Sequence, residues 1–133
     1  MTNLIAVESI AISAILTALL AILMLALACY VSYLRVTLRI GMGDGGNKVM
    51  SRGIRAHGNT VEHAVVFLPL VLLFELLGAP DAAVWILGGS FVASRYLYGF
   101  AMAKGLMPIR QISSAVVYLV ELIMALWVIG LAI

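Results

Sequence analysis

The chain has 133 residues, of which 65% are hydrophobic and 11% charged. Its mean hydropathy is +1.18. This excludes the water-soluble class, where apolar usage is about 45–50% and charged usage about 25%. At about 20 residues per membrane span, the length accommodates four helices with short connections and no second folded domain. The expectation is a single domain over residues 1–133, an all-α integral membrane four-helix bundle, with no nucleic-acid partner. Cys29 is the single cysteine, so no intramolecular disulfide is possible. Inside an apolar run it reads as a small buried hydrophobe.

No charged residue occurs from Ile10 to Leu34, and helix 1 is expected at about 9–34, long enough to span with some tilt. Arg35–Ser51 turns polar, and its glycines Gly41, Gly43, Gly45 and Gly46 mark a flexible loop. Helix 2 is expected at about 52–77 and stops at Gly78-Ala79-Pro80, with Pro69 tolerated inside it. Asp81 reads as the N-cap of helix 3, about 82–103. Lys104–Pro108 is the last connection, and helix 4 fills about 109–133.

Basic residues are retained on the cytoplasmic side of membranes. Arg35, Arg39, Lys48, Arg52 and Arg55 belong to the first connection, and Lys104 and Arg110 to the third. Both termini are therefore expected outside and the two basic connections in the cytoplasm, where their charge also attracts anionic lipid or an anionic ligand.

An ionisable group near the bilayer centre costs about 2.5–3.5 kcal/mol even on the lenient insertion scale, so such groups normally face a protein interior or a wet cavity. On a helical wheel Arg52, Arg55, Asn59, Glu62 and His63 share an arc of about 100°, whereas His57 and Glu75 face elsewhere. Arginines at a helix end can simply snorkel, but Asn59 and Glu62 lie deeper and need partners. Arg95 lies at a depth matching Glu62 and Glu121, which predicts a buried Arg–Glu pair. Arg110, Ser114, Tyr118 and Glu121 share one face of helix 4. His57 and His63 are the only histidines and sit on different faces, so no metal site is expected.

The run Arg55-Ala56-His57-Gly58-Asn59-Thr60-Val61-Glu62 resembles the Arg-x-x-x-Asn-x-x-Glu signature of the MAPEG family, the membrane-associated proteins in eicosanoid and glutathione metabolism. Arg35 and Arg39 closing helix 1, Arg95-Tyr96 in helix 3 and Pro108-Ile109-Arg110 opening helix 4 fit the same frame. The resemblance implies a homotrimer binding glutathione as co-substrate between subunits in the cytoplasmic half of the membrane, and the short form of the chain suggests a bacterial inner membrane. It assigns glutathione to Arg55, Asn59, Glu62 and Tyr96 or Tyr98, with Arg35 and His57 reaching in from the neighbouring subunit. It makes Arg110 the catalytic group, whose guanidinium favours the thiolate. The implied activity is that of a glutathione transferase or peroxidase acting on lipophilic small molecules that enter from membrane lipid. The alternatives are a non-catalytic lipid- or glutathione-binding member of the family, and a structural or transport bundle.

Overall fold

The computed structural model describes residues 10–133. Four helices follow in order: α1 (Ala11–Leu38), α2 (Lys48–Leu76), α3 (Asp81–Lys104) and α4 (Met107–Ala132). The expected start of helix 1 at Ser9 and the side on which the N-terminus lies fall outside the described residues. At 1.5 Å per residue the helices run about 36–44 Å. α1, α2 and α4 are each long and apolar enough to cross a membrane. α3 carries Asp81, Arg95 and Lys104 and packs against all three other helices. α2 and α3 form the central pair, and α1 and α4 flank it on opposite sides.

Local signals move several helix ends from where hydropathy puts them. α1 continues one turn past Leu34 to Leu38 and ends on Arg39, whose left-handed conformation (φ 55°) lets its N–H reach the Arg35 carbonyl. α2 begins four residues earlier than expected because Asn47 caps it, its Oδ1 accepting from the N–H groups of Val49 and Met50 at 2.9 and 3.1 Å. Asp81 is not the cap of α3. Pro80 holds that position, and Asp81 sits in the first turn, where its charge complements the helix dipole. α4 starts at Met107 with Pro108 in its first turn, a position where the missing N–H costs nothing.

The first connection is hydrogen-bonded along its length and is no slack linker. The Arg35 guanidinium donates to the carbonyls of Ile40, Gly41 and Gly43. Asp44 accepts from the Gly46 N–H, and its own carbonyl accepts from the Asn47 N–H at 2.9 Å. Gly43 (φ 63°) and Gly45 (φ 58°) take backbone angles that side chains resist.

Leu16, Leu20, Leu23 and Leu27 form the buried stripe of α1, and Phe67, Val71, Phe74, Phe91, Val117, Val120 and Met124 fill the interior from the other helices. Phe67 and Phe91 stack at 3.8 Å across the central pair. Gly88 admits α1 closely, since a Cβ there would lie 2.4 Å from Leu16 Cδ1. Cys29 is exposed, contrary to its reading as a buried hydrophobe.

Glu75 does what no residue of α1 does for itself. The N-cap position of α1 is Ile10, which offers no side-chain acceptor. The buried Glu75 carboxylate reaches across from α2 and accepts from the backbone N–H groups of Ile12 (3.0 Å) and Ser13 (2.7 Å), and Ser13 Oγ donates to the Val71 carbonyl (3.0 Å). Helix N-termini leave N–H groups without intrahelical partners, and where water is scarce each must be met by the protein. Glu75→Ala is therefore expected to lower stability by about 1.5–3 kcal/mol, the usual worth of hydrogen bonds to a charged group. Glu75→Gln keeps an acceptor and should lose less. Unfolding of the detergent-solubilised variants checks this, and equal midpoints for wild type and Glu75→Ala would contradict it.

Candidate functional site

The α2 stripe meets α3 at Arg95. Its side chain is wholly buried and lies over the Tyr98 ring, with Cζ 4.5 Å from the centroid. Arg95 Nη1 donates to Asn59 Oδ1 at 2.9 Å. This fixes the orientation of the amide, whose Nδ2 faces Glu62 Oε2 at 3.5 Å. Glu62 in turn stands 3.8 Å from Arg55 Nη1. Arg95, Asn59, Glu62 and Arg55 thus form one chain of polar contacts running from the core to an exposed ion pair. An exposed pair of this kind contributes little stability, whereas the buried Arg95–Asn59 bond is one on which the core depends.

The expected buried Arg–Glu pair does not form directly. Asn59 stands between Arg95 and Glu62, and the other candidate, Glu121, takes His63 instead, with both carboxylate oxygens 3.0 Å from Nδ1. His63 and Glu121 are mostly buried, at 14% and 15% side-chain exposure, and the Tyr118 ring lies 5.3 Å from the imidazole. The helical wheel already put His63 on the stripe and Glu121 on the polar face of α4. Matching their depths would have found this pair.

A groove of about 520 Å³ opens beside the exposed end of the network, lined by Gly43, Asp44, Ser51, Ile54, Arg55, Gly58 and Glu62. The loop that Arg35 holds is one of its walls. Arg35 therefore shapes the groove of its own subunit through backbone carbonyls. The Asp44 contribution is invisible in the sequence, where the residue is one polar position in a glycine-rich loop. A second groove of similar volume, between α1 and α2 near Ser13 and Pro69, is almost wholly apolar.

The remaining site residues, Tyr98 excepted, lie apart from the network. Of the two tyrosines, Tyr98 supports Arg95, while the Tyr96 hydroxyl donates to the Leu19 carbonyl of α1 at 2.8 Å. His57 is half-buried and makes no hydrogen bond to the described residues of its own protomer. Arg110 sits in the first turn of α4, its Nη1 3.8 Å from Met107 Sδ. The guanidinium of Arg52 packs beneath the α3–α4 turn, 3.3 Å from where a Cβ of Gly105 would stand. Four buried nitrogens have no partner among the described residues: Nε of Arg52, Nε of Arg110, and Nε and Nη2 of Arg95. All are arginine donors, and all belong to the half of the bundle that carries the basic connections.

Fold and site together define an integral membrane helical bundle with a polar network that descends from one face into its core. The match to the model of the MAPEG family spans residues 13–130, and the chain belongs to that family. It is 36% identical over 91 residues to inner membrane protein YecN of Escherichia coli strain K12, covering 67% of this chain and 70% of that one. The protein of the same name from Escherichia coli O6:H1 strain CFT073 is similar to the same extent.

Asn59 gives the buried guanidinium its one hydrogen bond among the described residues. Asn59→Leu, close in size but without an acceptor, should cost about 1.5–3 kcal/mol in unfolding experiments, as expected for a bond to a charged group. Asn59→Asp restores an acceptor and should recover most of it. An unchanged midpoint for Asn59→Leu would show that Arg95 is satisfied by something else.

Proposed function

We propose that the chain is a membrane-bound glutathione transferase or peroxidase that activates the glutathione thiol for attack on lipophilic electrophiles. The observation that carries this reading is the Arg55–Glu62–Asn59–Arg95 network, which opens onto a groove bearing both signs of charge in a protein of the MAPEG family. Glutathione carries two carboxylates and one ammonium. Arg55 and Glu62 present complementary charges to it.

The active form in this reading is a homotrimer in a bacterial inner membrane, with the network at the cytoplasmic end. Arg35 and His57 make no hydrogen bond to Arg55, Asn59 or Glu62 of their own protomer, and in the trimer they serve the neighbouring subunit's site. Tyr98 stays beneath Arg95, and Tyr96 contacts glutathione at the subunit boundary. The electrophile arrives from the lipid phase along that boundary. The relatives in Escherichia coli, named as inner membrane proteins, support the location.

Arg110 is the group assigned to the sulfur. A free thiol has a pKa of about 8.5, and only the thiolate is a strong nucleophile, so a guanidinium held against it raises the reactive fraction at neutral pH. Each unit by which the thiol pKa falls corresponds to about 1.4 kcal/mol of preference for the thiolate.

Titration of the detergent-solubilised protein with glutathione and with ophthalmate, its thiol-free analogue, is the primary test, and binding of both is expected. Arg110→Ala should bind glutathione within a few-fold of wild type, lose the thiolate absorbance near neutral pH and lose most turnover with a generic electrophile. Wild-type turnover with an unchanged pH profile would remove Arg110 from the chemistry. For orientation, Met42→Cys on the exposed first connection should resist an impermeant thiol reagent added to intact cells, and Ala82→Cys at the other end should react.

A further inference from the structure

We infer that Asp44 is the groove's recognition site for a ligand ammonium group, so that the bound thiol must present a free α-amino group, as the γ-glutamyl end of glutathione does. The identity of the ligand rests on the function proposed above; the charge selectivity rests on the groove itself.

Three carboxylate or guanidinium side chains line the groove: Asp44, Arg55 and Glu62. Arg55 and Glu62 already face each other at 3.8 Å, and Glu62 also receives the Asn59 amide. Asp44 forms no ion pair among the described residues. Asp44 is therefore the one charged side chain of the lining without an ion-pair partner among the described residues. An α-amino acid end matches that arrangement, with its carboxylate toward Arg55 and its ammonium toward Asp44. A plain dicarboxylate would bring a second negative charge to Asp44, which repels it.

The position of the carboxylate is set before any ligand arrives. Its Oδ1 accepts from the Gly46 N–H at 3.0 Å, and the Asp44 carbonyl accepts from the Asn47 N–H. On the other side Arg35 holds the Gly43 carbonyl at 3.2 Å. This leaves Oδ2 to meet a donor, on a loop whose ordering cost has already been met within the fold. The sequence in this stretch follows from the same requirement. The turn places Gly43 and Gly45 at positive φ on either side of Asp44, and the aspartate between them closes the local turn with one oxygen while presenting the other.

Asp44→Asn is the informative substitution, because the asparagine Oδ1 can still accept from Gly46 N–H and preserve the turn while the charge is removed. Binding of glutathione and of its des-amino analogue, glutaryl-cysteinylglycine, is measured calorimetrically for wild type and variant in the same detergent. Wild type should prefer glutathione by about tenfold, the low end for a charged contact in an open groove. Asp44→Asn should lose that preference by weakening glutathione alone, with the des-amino analogue unchanged. Full retention of the preference in Asp44→Asn, or equal weakening of both ligands, overturns the assignment while leaving the glutathione reading intact. Failure of wild type to bind glutathione at all overturns the functional reading and this assignment with it.

Discussion

The bundle is organised around a guanidinium that has no access to water. Arg95 is wholly buried at a depth where hydration cannot compensate its charge, and arginine does not escape the problem by losing its proton. It therefore dictates its surroundings. An acceptor must stand beside it, which Asn59 supplies, and a polarisable face must cover it, which Tyr98 supplies. Asn59 then has an amide N–H to satisfy, which draws in Glu62, and Glu62 draws in Arg55 at the exposed end. The register of α2 against α3 follows from this sequence of obligations, with the Phe67–Phe91 stack above it locking the same pair of helices by contact alone.

The same obligation governs the opposite end of the bundle, with the opposite consequence. There the polar groups are backbone N–H groups at the start of α1, and Glu75 answers them from α2. Its charge is met by two donors at a helix N-terminus, where the dipole favours an anion. Between the two ends, His63 and Glu121 tie α2 to α4. α2 is thus bonded to each of the other three helices by a different polar contact. In lipid, where apolar sorting alone does not join helices, these contacts and close packing are what set the partners and the register.

Hydropathy was enough to reveal the four helices, because lipid punishes polar residues severely and leaves long uncharged runs as its trace. The residues of the network were legible for a related reason: polar side chains on one helical arc below the headgroup level demand an explanation. The partners were less legible. Depth arguments correctly put Arg95, Glu62 and Glu121 at one level, but depth carries no azimuth between helices, so they did not show that Asn59 intervenes and that Glu121 turns to His63. Glu75 was read only as facing another neighbour, since a side chain capping a different helix leaves no local motif. Asp44 and the order in the first connection were hidden for a third reason. Glycine-rich composition marks where a chain can turn, and it does not distinguish a slack loop from one built on specific positive-φ positions and hydrogen bonds.

The balance of satisfied and unsatisfied groups differs between the two ends of the bundle. At the Glu75 end every named donor meets an acceptor, and the adjoining groove is apolar. At the basic end, Arg52, Arg95 and Arg110 retain buried nitrogens without partners among the described residues, and a groove lined by Asp44, Arg55 and Glu62 carries both signs of charge. A buried donor left unmet costs free energy. In the function proposed above, an anionic or hydrogen-bond-accepting ligand would meet these donors and recover that cost as affinity. Asn59 is the point where the two halves meet, since its carbonyl oxygen holds the core cation and its amide faces the carboxylate that borders the groove. A change there would disturb stability and, in the function proposed above, ligand binding as well.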